Sequence, residues 1–309
     1  MIRKMLFYLI ALLFLANINL LAQDDKDSTA KDWHKRTHHP WFKSDWKWRF
    51  HGNPFIEVNY GMGTPKSDKL VSKFADVGLL EVKLGYSTVN SFNEDIVDFN
   101  DKFVFVSRLA ADIKTPDATL GVMKSSMLRI GLEERSGYGY KFGDLAILPY
   151  ISRGAAWSRL LMIDYPAQFY LNLKPPMSLQ DAINDTDILN RYHDNVRFGT
   201  VWEAGIRLDY SKSISLDAGY QASVVFPRYM FWKHVGSAII EEAGLKVLDH
   251  FIDEVSDSSP YVAPIVNFLL KNGFSYAFYA LKKEKMNWPF ETEAPLTYET
   301  FKVGLTFTF

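Results

Sequence analysis

The residue types present would allow a hydrolytic site, but the residues that would form it lie far apart along the chain. His193 is followed directly by Asp194, and Ser152 or Ser158 would complete the set if the fold brought them together. A serine nucleophile needs a histidine base within hydrogen-bonding distance and a carboxylate that orients the base. His234 has no carboxylate next to it in the sequence. Because no motif fixes this geometry, we predict no catalytic residues and interpret these histidines as surface loop residues.

Metal and cofactor sites are weakly indicated. His34 and His38 are four residues apart beside His39, a spacing that suits a metal ion if the segment is helical, but no carboxylate stands at a fixed distance from them. The chain has no cysteine, which excludes disulfides, thiolate ligands and a lipid-modified N-terminal cysteine. The glycine-rich segment 135–144 lacks phosphate-loop spacing. We therefore predict no metal and no cofactor.

Charge does not indicate a nucleic-acid partner. The chain has 35 basic and 36 acidic residues, so it exerts no long-range attraction on phosphates. The segment 33–50 interleaves tryptophan with lysine and arginine, which can bind nucleic acid by stacking, but the same residues suit a membrane interface. We predict that residues 23–53 form a periplasmic or interfacial segment.

Residues 1–22 are typical of a secretory signal peptide. Arg3 and Lys4 precede an apolar run from Leu6 to Ala16, and the small residue Ala22 is followed by polar sequence. A basic start with an apolar run of about 7–15 residues favours export, whereas a spanning helix needs about 20 apolar residues. We predict cleavage after Ala22, with an uncleaved membrane anchor as the alternative.

Strict alternation marks the strands. The chain ends on an apolar face of every second residue: Phe301, Val303, Leu305, Phe307 and Phe309. This period of two is that of a strand with one apolar and one polar face. The segments 196–210 and 213–226 repeat the pattern on either side of a short polar turn and predict a long hairpin.

The alternating segments predict an all-β, antiparallel transmembrane barrel over residues 54–309. Strands are expected at about 54–62, 77–88, 103–113, 125–136, 145–158, 196–210, 213–226 and 300–309. Segments 161–173 and 274–281 would raise the count from eight to ten. Membrane strands need about 9–11 residues, and even strand counts from eight upward are usual. A soluble barrel or sandwich is the alternative, and it would turn the aromatic residues inward and the charges outward.

The polar faces of these strands carry charges of both signs. On a lipid-facing wall each Arg or Lys near the midplane costs roughly 2–4 kcal/mol, whereas opposite charges inside a narrow barrel can pair. Eight strands leave a lumen that side chains just fill. We therefore predict a lumen charge network of Glu57, Glu81, Lys83, Arg108, Asp112, Arg129, Glu133, Arg135, Arg197, Glu203 and Arg207.

A helical insertion at about 233–272 interrupts the strand pattern before the last strand. Apolar residues recur at three- and four-residue spacing from Ile240 to Val255, and a short second helix is expected to end at Gly273. The long connections would then leave the outer end of the barrel and the short turns its periplasmic end. The insertion is expected to cap the barrel mouth, to form a gate onto the lipid, or to rest as a helical pair on the barrel rim, and we favour the rim.

The terminal residues Phe301, Val303, Leu305, Phe307 and Phe309 resemble the assembly signal of Gram-negative outer-membrane β-barrel proteins. In that superfamily the barrel-insertion machinery reads a final aromatic residue preceded by alternating apolar residues. The resemblance implies a protein of the cell outer membrane, with outer-membrane lipid and that machinery as partners. It is specific in the last ten residues and indicates no narrower family.

The predicted function is a non-enzymatic envelope or surface-binding role, in which the outer loops bind a small molecule or a surface ligand. One alternative is a porin-like transporter of a small solute, gated by the helical insertion, whose conductance would rise when residues 228–298 are shortened. The other alternative is an outer-membrane lipid-modifying enzyme that would depend on His193.

Overall fold

The computed structural model describes residues 52–91, 95–114, 122–163, 178–211 and 213–309. The predicted signal peptide, the histidines 34, 38 and 39, and nearly all of the 23–53 segment lie outside these ranges. The signal peptide and the periplasmic or interfacial segment therefore stay predictions. The described residues belong to the unit His51–Phe309.

Eight antiparallel strands close into a barrel. Each strand pairs with its neighbours in the sequence, and the first pairs with the last, which closes the sheet on itself. This confirms the predicted eight-stranded barrel, and the ten-stranded alternative is wrong. The strands are β1 (Asn53–Lys66), β2 (Val77–Ser91), β3 (Ile96–Ala110), β4 (Ser125–Phe142), β5 (Leu145–Ile163), β6 (Val196–Asp209), β7 (Ile214–Val225) and β8 (Leu296–Thr308).

Burial alternates along the strands because one face points into the barrel and the other points away. In β8, Lys302 and Thr306 are buried, whereas Phe301 and Val303 expose 71% and 61% of their surface. The same outward orientation gives a ring of exposed apolar side chains, which we call the apolar belt. It contains Val58, Tyr60, Met62, Leu80, Val82, Leu84, Val104, Val106, Leu128, Ile130, Ile206, Leu208, Ile214, Leu216, Phe301, Val303 and Phe307.

The predicted faces of β3 are wrong. Phe103 and Phe105 are buried inside the barrel, and Arg108 lies on the outward face. The outward positions Val104 and Val106 are apolar too, so that both faces of this strand look alike in the sequence. The choice of face is made by the neighbouring strands, whose buried cations offer partners to the aromatic rings.

The long connections leave one end of the barrel, the loop end, and the short turns lie at the other, the turn end. Two short helices belong to the loop end, α1 (Ala111–Lys114) and α2 (Leu179–Asn190). Ser178 caps α2, and Asp185 in α2 accepts hydrogen bonds from the backbone N–H groups of Val71 and Ser72 at 3.1 and 2.7 Å. These bonds hold α2 against the β1–β2 connection.

A buried apolar cluster fills the barrel at this end. We call it the loop-end cluster, and α2 and the β1–β2 connection contribute to it together with the strands. Its members are Phe74, Val77, Leu79, Leu109, Met123, Met127, Leu160, Ile163, Leu189, Tyr192, Val225, Leu296 and Tyr298.

Two long helices, α3 (Phe231–Ser258) and α4 (Ala263–Lys282), form a helical hairpin between β7 and β8. They pack through a cluster of buried leucine and isoleucine residues. Gly244 permits this close approach, because a Cβ there would lie 2.3 Å from Cζ of Phe274. The second helix continues past Gly273 to Lys282, so the predicted end was wrong and the strand candidate 274–281 is helical. Among the described residues, no helix is both long and apolar enough to cross a membrane.

The helical hairpin lies along the outer wall of the barrel. Tyr279 packs against Trp202 and Val224, whose side chains lie on the outward faces of β6 and β7. At the turn end, the hydroxyl of Tyr261 between the two helices donates a hydrogen bond to Asp95 at 3.0 Å. The hairpin therefore runs the height of the barrel, and neither predicted position, over the mouth or on the rim, is the observed one.

Candidate functional site

Buried ion pairs cross the lumen, and Arg135 on β4 is at their centre. Its guanidinium lies 2.9 Å from the carboxylate of Glu57, 2.7 Å from that of Asp101 and 2.9 Å from that of Asp217. These acids come from β1, β3 and β7, and all four side chains are buried. One cation thus ties three other strands to β4 from inside the barrel.

Two lysines extend the network. Lys302 Nζ lies 2.6 Å from carboxylate oxygens of both Glu81 and Glu203. Lys83 Nζ lies 2.8 Å from Glu57 and 3.6 Å from Glu203. Buried charges are tolerated when they are paired and hydrogen-bonded. In this network each of these cations lies next to carboxylates, which provides the pairing.

Hydrogen bonds complete the set. Arg129 donates to the side-chain oxygen of Gln221 at 2.8 Å, and Glu133 accepts from the hydroxyl of Ser152 at 2.6 Å. The cations also stack on aromatic rings, since Lys83 Nζ lies 4.7 Å from the ring centre of Phe103. The predicted residues that the structure brings together in the lumen are Glu57, Glu81, Lys83, Arg129, Glu133, Arg135, Glu203 and Arg207.

The other predicted members lie elsewhere. Arg108 is exposed on the outward face of β3 and pairs with Asp112 on α1 at 2.9 Å. Their placement in the lumen was wrong because the faces of β3 are reversed. Arg197 is half-buried near the loop end of β6, six positions from Glu203, and is not part of the ion pairs described above.

Several further members of the network were not predicted from the sequence. Asp217 and Lys302 lie on the polar faces of β7 and β8, where the alternation rule alone would have found them. Asp101 was missed because the inward and outward faces of β3 were predicted the wrong way round. Tyr150, whose hydroxyl donates to Glu203 at 2.6 Å, carries no charge that would have marked it.

The described residues fill the lumen over its length. The loop-end cluster occupies the loop end, and the ion-pair network occupies the remainder together with buried apolar side chains such as Phe55, Phe103 and Leu148. Both layers are built from side chains that are almost completely buried. The interior of the barrel is therefore a core rather than a channel.

The candidate hydrolytic residues are not assembled. The hydroxyl of Ser152 is bonded to Glu133 inside the lumen, and Ser158 is also buried there. His193 follows α2 at the loop end, where its backbone bridges to Leu160. Within the described ranges, no three histidine or carboxylate side chains are grouped so that they could hold a metal ion.

A second polar site lies outside the lumen, between the helical hairpin and the barrel wall. It is a cavity of about 170 Å³, which we call the wall cavity. Arg153, on the outward face of β5, pairs there with Glu242 of α3 at 3.1 Å. Lys282 of α4 pairs with Glu241 of α3 at 2.6 Å. The wall cavity is lined by Arg153, Gly154, Thr200, Val201, Trp202, Ala222, Val224, Ala238, Glu241, Glu242, Ser275, Tyr279 and Lys282.

Two residues that line the wall cavity each carry a buried donor that lacks a hydrogen-bond partner among the described residues. The donors are the indole N–H of Trp202 and the hydroxyl of Ser275, and both side chains are buried. Leaving a buried donor unsatisfied costs about 1–3 kcal/mol. Ala238 also lines the wall cavity and is exposed, so the cavity opens beside α3.

His234 lies near the start of α3, in an aromatic cluster. Its ring centre is 5.2 Å from that of Phe198, 5.4 Å from that of Phe226 and 5.7 Å from that of Tyr229. Burial, and then the charge of Lys282, hold the pKa of His234 below its ordinary value. The imidazole is therefore neutral at neutral pH.

Three solved structures similar to this fold are small barrel proteins. Neisserial surface protein A is 9% identical with a TM-score of 0.36, and 83% of this chain and 97% of that protein are covered. Ail, the attachment invasion locus protein of Yersinia pestis, is 7% identical with a TM-score of 0.31 and coverages of 84% and 100%. The outer membrane protein OprG from Pseudomonas aeruginosa is 9% identical with a TM-score of 0.29 and coverages of 84% and 96%.

Likenesses of this degree carry no conclusion about function. No family model matches the sequence, and no curated protein matches it.

Proposed function

We propose that the protein is an integral β-barrel of the outer membrane with a non-enzymatic binding role in the cell envelope. The observation that carries this proposal is the apolar belt around a lumen filled with ion pairs. A soluble barrel would place its charges on the outside, whereas lipid requires them inside or paired. A closed barrel also satisfies the backbone hydrogen bonds of every strand in lipid, because it has no sheet edge.

The helical hairpin supports the same location. The outward residues of α4 are apolar, and Ile265 and Leu269 are more than half exposed. The first half of α3 is similar, with Ile239 62% exposed. Charged outward residues, such as Asp253 and Glu254, occur in the second half of α3, toward the turn end, where lipid headgroups and water would meet them.

A binding role agrees better with the structure than transport or hydrolysis does. A movable plug must lie in or over the lumen, but the helical hairpin lies on the outer wall. The proposed partners are outer-membrane lipid, the barrel-insertion machinery that would read the terminal strand, and a small-molecule or surface ligand. Export through a cleaved signal peptide belongs to the same proposal.

The test compares the refolded mature chain with a variant that lacks the helical hairpin. Val225 and Leu296 are direct partners in the β7–β8 register, so a short glycine–serine turn can replace the residues between them. Both proteins should enter vesicles, show heat-sensitive gel mobility and remain silent in planar bilayers. Fractionation of the full protein as soluble without detergent would contradict the membrane location. Steady conductance in either protein would support the transporter instead.

A further inference from the structure

We propose that the wall cavity binds a zwitterionic polar group, one that carries an anionic phosphate or carboxylate together with a cationic amine. The inference rests on the proposed membrane location, because the cavity lies on the lipid-facing side of the barrel. It adds a specific site and a ligand class to the general binding role.

The charged residues of the wall cavity occupy costly positions. An arginine on the lipid-facing wall of a barrel is expensive, and ionisable groups at such positions mark functional sites. Arg153 lies on the outward face of β5, where an apolar side chain would pack against the helical hairpin at no such cost. The hairpin supplies Glu242 as its partner and leaves a cavity beside the pair.

The charges that line the wall cavity are balanced. The wall cavity holds the cations Arg153 and Lys282 and the anions Glu241 and Glu242. A bare anion or a bare cation would leave one of these groups uncompensated in a region of low dielectric, which is unfavourable. A ligand with one charge of each sign would leave the balance unchanged, since it can meet a cation at one end and a carboxylate at the other.

Two residues of the wall cavity carry unsatisfied donors. Trp202 and Ser275 both line it, and the indole N–H of the first and the hydroxyl of the second have no partner among the described residues. Phosphate or carboxylate oxygens would accept both hydrogen bonds. The bound group therefore places its anionic end near Trp202 and Ser275 and its amine toward the glutamates of α3.

Size and access restrict the ligand further. A space of about 170 Å³ holds on the order of ten water-sized groups, which suits a headgroup but not a whole lipid. The opening beside Ala238 and the apolar lining from Ala222 and Val224 would accommodate the part of a lipid next to its headgroup. A lipid headgroup and a free zwitterion share this chemistry.

The experiment tests both possible sources of the ligand, a lipid headgroup and a free zwitterion. The full protein is placed in nanodiscs of mixed phosphatidylethanolamine and phosphatidylglycerol, and native mass spectrometry counts the lipids retained on release. In parallel, free phosphoethanolamine is titrated calorimetrically into the detergent-purified protein. We expect phosphatidylethanolamine to be retained at least about tenfold over phosphatidylglycerol, the ratio that one additional charge-assisted hydrogen bond would give.

Two variants and one control make the result specific. Trp202→Phe removes the indole N–H while keeping a smaller aromatic ring, and Ser275→Leu removes the hydroxyl and fills the cavity. Each should lower the retention ratio or the calorimetric affinity by about tenfold. Ala280→Leu, on the exposed face of α4, should change neither.

The outcomes separate the two proposals. Binding of free phosphoethanolamine without lipid selectivity would identify a soluble zwitterion as the source. Equal retention of both lipids with no calorimetric signal, or selectivity unchanged in both variants, would overturn the ligand assignment. Heat-sensitive gel mobility, recorded on the same samples, reports whether the barrel itself is folded and so tests the proposed function separately.

Discussion

The guanidinium of Arg153 on β5 lies 3.1 Å from the carboxylate of Glu242 on α3, and this pair joins the barrel wall to the helical hairpin. Each group is about one-third exposed, so the pair is partly screened. Its role is nevertheless structural, because separation would leave two uncompensated charges between the helices and the barrel wall.

Glu242→Leu should loosen the helical hairpin, since Arg153 would keep its charge without a partner. We expect a loss of about 1–3 kcal/mol in the opening free energy of α3 and α4, measured by amide hydrogen exchange. Adding Arg153→Met should restore most of the protection, because two apolar groups then pack in place of the pair. Unchanged exchange in the single variant would show that the pair does not hold the hairpin.

Arg135→Met should strongly destabilise the barrel. It leaves Glu57, Asp101 and Asp217 without their shared cation in the buried network. Breaking a buried pair in this way costs about 3–5 kcal/mol, which urea unfolding from vesicles can measure. Arg108→Met is the matched control, because its exposed pair with Asp112 should contribute no more than about 1 kcal/mol. Equal effects of the two substitutions would contradict this view of the lumen.

Gly205→Ala should destabilise the barrel by about 1–3 kcal/mol. A Cβ at this position would lie 2.5 Å from the hydroxyl of Tyr150 and 2.6 Å from the carbonyl oxygen of Ala218. Gly273→Ala should have the opposite sign, because nothing lies within 4 Å of a Cβ there and alanine favours a helix by about 0.8–1 kcal/mol. The midpoint of the heat-dependent gel shift measures both, and a stabilising Gly205→Ala would rule out the close approach of Tyr150.

Acid should weaken the docking of the helical hairpin through His234. Burial lowers the pKa of this histidine, so the undocked chain binds a proton more readily than the docked chain does. The stability that neutral His234 gives to the docked helical hairpin is therefore fully present above the ordinary histidine pKa of about 6.5. It falls as the pH drops from there toward the lowered pKa. The charged groups that act on His234 are Lys282 and Glu241.

The measurement is hydrogen exchange of α3 between pH 7.5 and 5, corrected for the intrinsic rate. His234→Phe keeps an aromatic ring against Phe198 and should remove the pH dependence. A pH profile that this variant leaves unchanged would assign the effect to other groups.

The alternation of apolar and polar residues in the sequence was sufficient to predict much of the barrel. The β6–β7 hairpin and the outward face of β8 follow directly from period-two patterns, because one face meets charges and the other does not. Arg135 and Glu203 were found in the lumen for the same reason. In β3 the rule failed, since Phe103 and Val104 are both apolar and only the neighbouring strands decide which one is buried.

The wall cavity could not be predicted from the pattern. Arg153 lies in a strand whose outward face looks mixed, and it is tolerated only because Glu242, far along the chain, lies over it. An amphipathic helix shows in its sequence that it has a partner but not which surface that partner presents. The docking of α4 against the barrel wall depends on a long-range contact that periodicity does not encode.

The helical hairpin precedes β8 in the chain, and this order bears on how the barrel assembles. Trp202 and Val224, on which the helical hairpin rests, precede it in the chain, as does Asp95, which accepts a bond from Tyr261. β8 follows the hairpin and alone joins β7 to β1. Most of the surface on which the helices pack is therefore made before β8 is added. When β8 closes the sheet it also supplies Glu299, which accepts a hydrogen bond from the hydroxyl of Tyr279 at 3.2 Å and so fixes α4 to the closed barrel.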